Sequence, residues 1–351
     1  MKKGISYSSW GNYLTCPRKY EIEKVEGYEP KLKSSALVFG SAFDDAVNDL
    51  VINGDLDKAN RILIDGIKCL VKNTDHYFFK NDFDYDLLTK EQDDMAVSYL
   101  ENELNYQGPH SYETLHEILM KYVYNAGNDY NILSENQQLF LSFISTMSLK
   151  QKGYMMLEAF QRELIPSLES IEGVQVELSS RRGFIDIIAN IKGHGRCIID
   201  VKTTSRAYTQ DQLDFSPQLS IYSDDQKIDK VAYFTVVKNL NKNITKVCSE
   251  CDYNGTGKRF KTCDNVINGK RCNGKWEVSI NPEVVTQMMI DDINVKYRDI
   301  VIKSLNSVDD AIDKKVFPMN LQSCANQYGK PCPYSAYCVS GDTKDIKKRE
   351  T

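Results

Sequence analysis

The chain has 351 residues, of which 41% are hydrophobic and 26% charged. That is the profile of an ordinary globular protein with room for two or three domains. Its formal charge of −5 does not mark a nucleic-acid binder, and no apolar run approaches the roughly 20 residues of a membrane span. The opening MKKGISYSSWGNY has two lysines but no apolar stretch, which excludes a secretory signal and makes the cytoplasm the expected location.

Taken in chain order, SYSSWGNYLTCPRKYEIEKV (6–25) reads as a helix capped by Ser8 or Ser9 and interrupted at Pro17. ALVFGSAFDDAVNDLVING (36–54) has Phe43, Ala46, Val47, Leu50 and Val51 at helical spacing, with Asn53 and Gly54 to end it. Helical patterns continue over 56–165 and carry no chemistry. Near residue 172 the pattern turns to strands: GVQVELSS, GFIDIIANI and RCIIDVKTT, the last two joined by Gly193, His194 and Gly195. SPQLSIYSDDQ reads as a helix, KVAYFTVVK (230–238) as a fourth strand, KWEVSINP (275–282) as a fifth, and 283–304 as a helix.

The expectation is therefore an α/β or α+β protein with a small mixed sheet flanked by helices. Its expected parts are N-terminal helices (1–55), a helical region (56–170), a core (171–246 with 275–320), a cysteine-bearing insert (247–274) and a C-terminal cysteine segment with tail (321–351). Residues 238–276 carry nine basic and three acidic side chains, +6 against −11 for the remainder. A local patch of that kind suits phosphates.

Asp200 and Lys202 alternate to one face of the strand that ends in DVKTT, and Asp186 lies across the preceding turn. Two carboxylates sharing a site repel unless a cation joins them. Oxygen ligands at a strand end suit Mg²⁺ or Mn²⁺. With a lysine beside them, the set fits metal-assisted phosphodiester hydrolysis. Gln218 and Tyr222, four apart, share a helix face that can turn toward the same cleft.

GFID, IIDVKTTS and SPQLSIY together resemble the PD-(D/E)xK nuclease superfamily, in its RecB-like exonuclease branch. The resemblance implies a restriction-endonuclease-like sheet. It also implies Asp186, Asp200 and the Val201 carbonyl as metal ligands, Lys202 as the catalytic lysine, and Gln218 and Tyr222 as the helix motif. Glu177 is a further acidic candidate. That branch carries a histidine ligand one helical step after a glycine. Here Gly40 begins the step and Asp44 stands in the histidine's place, with Asp45 competing for the role.

The ten cysteines sort by position. Cys248, Cys251, Cys263 and Cys272 lie within a polar, Gly-rich stretch with too few apolar residues to fold unaided, which reads as a structural Zn²⁺ site. Cys324, Cys332 and Cys338 cluster at the C-terminal end, and CPRKY places Cys16 far upstream. The two ends resemble the iron–sulfur clamp of AddAB-type helicase–nucleases and CRISPR spacer-acquisition exonucleases. Four thiolates suit a [4Fe–4S] cluster or Zn²⁺. Cys69 and Cys197 sit in apolar runs and read as core.

The expected activity is a Mg²⁺- or Mn²⁺-dependent DNA exonuclease acting on linear single- or double-stranded DNA in recombination, repair or replication. The expected setting is a bacterial or phage-infected cell. No G-x4-GK[ST] loop is present, so any unwinding falls to a helicase partner, and the resemblance to free-standing members of the family implies a single-strand annealing protein as a further partner. A structure-specific endonuclease and a non-catalytic DNA-binding module with the same fold are the alternatives.

Overall fold

The computed structural model describes residues 4–31, 35–71, 149–150, 152–238, 241–251, 253–255, 262–263, 265–267, 269–272, 274–325 and 331–349. The helical patterns expected over 72–148 lie outside the described residues. Two compact units emerge. One comprises Met1–Lys80, Leu157–Val236 and Thr286–Thr351, the other Asn81–Met156 and Val237–Val285.

In chain order the helices are α1 (Tyr7–Thr15), α2 (Pro17–Tyr20), α3 (Ser35–Asn53), α4 (Leu56–Val71), α5 (152–163), α6 (Gln210–Asp214), α7 (Pro217–Gln226), α8 (Val295–Asp313) and α9 (Ser335–Ser340). The strands are β1 (Tyr28–Pro30), β2 (Leu168–Glu177), β3 (Phe184–Ile191), β4 (Gly195–Thr204), β5 (Lys230–Val237), β6 (Asn241–Cys248), β7 (Asn254–Gly255), β8 (Val266–Ile267), β9 (Lys270–Arg271), β10 (Trp276–Glu283), β11 (Thr286–Asp292) and β12 (Ile346–Lys348). The central sheet has the order β11-β5-β4-β3-β2. This is the expected mixed sheet between helices.

The β3–β4 hairpin forms because Gly193 and Gly195 take φ of 75° and 76°, a conformation that costs a residue with a Cβ. Register follows: Ile191 pairs with Gly195, Ala189 with Cys197 and Ile187 with Ile199. Ile187, Ile198 and Ile199 are fully buried, so the hairpin is covered on both faces. On one side α5 places Phe160 edge-on to Phe234 of β5, ring centroids 5.4 Å apart. On the other, Ile188 and Ile198 share a core with Leu219 and Tyr222 of α7 and Leu305 of α8.

Three local expectations need correction. Ser6, not Ser8 or Ser9, caps α1, accepting from the Ser9 N–H. The interruption expected at Pro17 is present: Cys16 leaves the helical region and Pro17 opens α2. In the stretch read as a helix from 283, Glu283 ends β10, Thr286–Asp292 is strand β11, paired antiparallel with β5, and α8 begins only after Asn294 caps it through the Tyr297 N–H. The apolar spacing of VVTQMMI suits either state, and the free edge of β5 decides it. KWEVSINP is a strand, but it does not join the central sheet. It pairs with β6, from Trp276–Cys248 to Glu283–Asn241, a nearer partner that the polar sequence of β6 concealed.

Asp225, at the end of α7, fastens the turn between β2 and β3. Its carboxylate accepts from the backbone N–H and hydroxyl groups of Ser179 and Ser180, at 2.7–3.0 Å. Burial opposes the charge, but these donors outweigh it and hold the carboxyl down at about 2. A lowered acid stabilises the fold above its unfolded pKa and ceases to do so as pH falls through the folded one. Asp225→Ala should therefore lower Tm by several degrees at pH 7, with the difference from wild type closing as pH approaches 2. Thermal unfolding across pH checks this.

Candidate active site and metal-binding cysteines

The last pair of the β3–β4 ladder is Ile187–Ile199. Asp186 and Asp200 are the next residue on each strand. Beyond that pair the Val201 N–H donates to Asp186 Oδ2 at 2.9 Å. Alternation sends Ile198, Asp200 and Lys202 to the face that meets α7. Asp200 is fully buried. Its Oδ2 lies 2.7 Å from Lys202 Nζ, and its Oδ1 has no hydrogen-bond partner among the described residues.

Burial, then the neighbouring Asp200, lifts the Asp186 carboxyl to about 7; Lys202 and the Val201 N–H pull the other way, and Asp44 adds slightly to the rise. Burial raises Asp200 too, against the pull of Lys202. For Lys202 burial acts to lower the pKa, but the two aspartates outweigh it, so the ammonium stays charged. On α7, Gln218 Nε2 donates to the Tyr222 hydroxyl at 2.6 Å. Burial raises Tyr222, and Asp200 and Asp186 add to it. The sheet and α7 thus bring Asp186, Asp200, Lys202, Gln218 and Tyr222 together.

Asp44 and Asp45 are both exposed on α3. Of the two, Asp44 is the one whose charge acts on Asp186. Gly40, one turn earlier, approaches Thr203 at the end of β4: a Cβ there would sit 4.0 Å from Thr203 Oγ1. Glu177 is exposed and pairs with Phe184. It shares the face of Asp186 but lies farther along the strand. Sequence reasoning missed Tyr208 and Tyr233. Burial raises both hydroxyls, and Asp200 adds to each. Their rings meet edge to face at 5.1 Å, and Tyr233 shares a 2.6 Å hydrogen bond with Ser216. No motif marks either; only the fold brings them to Asp200.

In the second unit, Cys248, Cys251, Cys263 and Cys272 have sulfurs all within 4.8 Å of one another. The Cys248–Cys272 and Cys251–Cys263 separations are 3.6 and 3.7 Å. A tetrahedral zinc with bonds of about 2.3 Å sets its sulfurs about 3.8 Å apart, so the donors fit that ion. A four-iron cluster, with a cube between its thiolates, needs them farther apart. The Glu250 N–H and the Asn265 amide point donors at Cys248 and Cys251, at 3.4 and 3.7 Å. Gly274 is buried against the site, and a Cβ there would come within 2.6 Å of Cys248 Sγ.

The terminal cysteines are grouped more loosely. Cys16 is buried. Burial acts to raise its thiol, but donors from Asn320, Lys19, Ser323 and Arg18 prevail and lower it. Burial raises Cys332 and Cys338, and the charges of Cys16 and Cys324 add to both. The Cys332 N–H donates to the Cys324 carbonyl at 2.7 Å. The four approach one another without closing to the spacing of the insert set, which is the one such group among the described residues. Cys197 is a buried core thiol, as expected; the Cys69 side chain lies outside the described residues.

A family model of the PD-(D/E)XK nuclease superfamily matches residues 4–339. The chain belongs to that superfamily, and membership suggests metal-dependent nuclease activity with DNA as substrate. No curated protein and no solved structure matches. No helix among the described residues is long and apolar enough to cross a membrane.

An acid whose folded pKa is raised destabilises the fold once ionised; the cost is absent below its unfolded pKa and complete above its folded one. Without added divalent metal, Asp186→Asn should therefore melt several degrees above wild type at pH 8. That advantage should shrink on acidification through pH 7 and vanish near pH 4. Melting curves of both proteins across this range check it.

Proposed function

We propose that the protein is a Mg²⁺- or Mn²⁺-dependent DNA exonuclease whose reaction centre is Asp186, Asp200 and Lys202. One observation carries the reading: Asp200 is fully buried and its Oδ1 lacks a hydrogen-bond partner among the described residues, beside a second carboxyl pushed up to about 7. A buried carboxylate oxygen without a donor is costly, and a divalent cation is the ligand that removes both the cost and the repulsion. Asp186, Asp200, the Val201 carbonyl and Asp44 would hold it, with Glu177 as an outlying candidate.

A bound cation supplies a water of lowered pKa and positive charge at the phosphate. Lys202 stays protonated and keeps its charge available for a developing phosphate anion. Gln218 fixes the Tyr222 hydroxyl, and that pair orients what enters between α7 and β4. Linear DNA ends are the expected substrate. We further assign Zn²⁺ to the insert cysteines, on their tetrahedral spacing, and an iron–sulfur cluster to Cys16, Cys324, Cys332 and Cys338, on their wider spacing and their resemblance to a terminal clamp. A role in recombination or repair, with a strand-annealing or helicase partner in a bacterial or phage-infected cell, follows from the same resemblance.

End-labelled linear DNA should be degraded with Mg²⁺ or Mn²⁺ while closed circular DNA survives. Asp200→Ala should reduce the rate on the order of 10³-fold without lowering Tm. Nicking of closed circles would instead favour the endonuclease reading, and unchanged cleavage by the variant would remove the site assignment. Metal analysis of anaerobically purified protein should give about one zinc and roughly four irons per chain. Gly274→Ala should reduce the zinc and leave the iron unchanged.

A further inference from the structure

A row of aromatic rings leads away from the catalytic carboxylates, and no part of the mechanism above uses it. Tyr208, on the loop after β4, is the near end: the charges of both Lys202 and Asp200 act on its hydroxyl. Tyr7, at the start of α1, packs against the same core as Tyr208 and as Tyr297 on the first turn of α8. Tyr297 meets Phe215 edge to face, with centroids 5.4 Å apart and planes at 84°. Trp10 flanks Tyr7 at 6.1 Å and is anchored through its indole N–H to Ser304 at 3.3 Å.

Four of these rings, Tyr7, Trp10, Tyr208 and Tyr297, pack against one core and are only partly buried. The fifth, Phe215, is 53% exposed. Rings that served only to seal the core would turn their faces inward. Here the row starts at a charged, buried pair and ends on a phenyl ring open to solvent. The element ends that supply it come from four places in the chain; the fold packs four of the rings against one core and joins Phe215 to them through Tyr297.

We propose that Tyr208, Tyr7, Trp10, Tyr297 and Phe215 form a stacking path for the unpaired bases of a single DNA strand leading to Asp186 and Asp200. Every base has a π-face, so such a path holds a strand without reading its sequence. In a duplex those faces are already stacked on one another. Only an unpaired or frayed strand can offer them, and the path therefore selects single strands. Exposed Arg206, two residues before Tyr208, and exposed Lys296, beside Tyr297, supply cations for the phosphates. The inference rests on the nuclease reading for its direction but makes a claim about binding alone.

The test uses the full chain without added divalent cation. Three labelled probes of equal length are compared by anisotropy: a single strand, a duplex, and an abasic strand with the same phosphates and no bases. The single strand should bind about tenfold tighter than either of the others. Phe215→Ala and Tyr297→Ala should each weaken single-strand binding about tenfold, whereas Tyr297→Phe should not. The chain has two tryptophans, so in the Trp276→Phe protein the emission of Trp10 should be quenched by the single strand and not by the abasic one. Equal affinity for the abasic strand, or for the duplex, on the unaltered protein would overturn the proposal. So would alanine variants that bind as wild type does. Base-dependent binding in a protein that cleaves nothing with Mg²⁺ would keep the path and discard the nuclease reading; cleavage with base-independent binding would do the reverse.

Discussion

The structure turns on one unfavourable arrangement: two carboxyl groups, Asp186 and Asp200, held side by side where water does not reach Asp200 at all. Each neighbouring element answers to it. Pairing in the β3–β4 ladder stops one residue short, which frees the Val201 N–H to bond Asp186. Lys202 stays charged against Asp200. Helix α7 presents Gln218 and Tyr222 rather than more aliphatic side chains. A protein selected only for stability would replace this set with packed hydrocarbon, since ionised groups without full pairing are expensive inside a fold. The arrangement makes physical sense as a receptacle for a divalent cation.

A second theme is how chain segments without a large core of their own are held. The N-terminal helices meet the C-terminal segment through several bonds: Asn320 bonds the Thr15 carbonyl and Cys16 Sγ, Tyr337 bonds Glu26, and β1 pairs with β12. The terminal cysteines lie within this closure. The insert has its own solution, four thiols at tetrahedral spacing with a glycine where a methyl group would strike sulfur.

Much of this was legible in the sequence, for identifiable reasons. The central hairpin showed itself because its apolar runs are continuous and its turn carries two glycines. Asp186, Asp200, Lys202, Gln218 and Tyr222 showed themselves because their spacings match strand and helix periods. What stayed hidden depended on partners distant in sequence. The polar residues of β6 gave no sign of a strand until β10 lay beside them, and β11 looked helical because its apolar spacing suits either state. Tyr208, Tyr233, Tyr7 and Tyr297 carry no motif. Their relation to Asp200 and to one another exists only after four separate segments have folded together.

The most direct test of the account is crystallographic: crystals grown without divalent metal, soaked in Mn²⁺ near pH 8 and measured for anomalous scattering. A peak should appear within bonding distance of both Asp186 and Asp200, with Asp200 Oδ1 among its ligands. A map with no peak between these carboxylates, and with Asp200 still bonded to Lys202 alone, would contradict it.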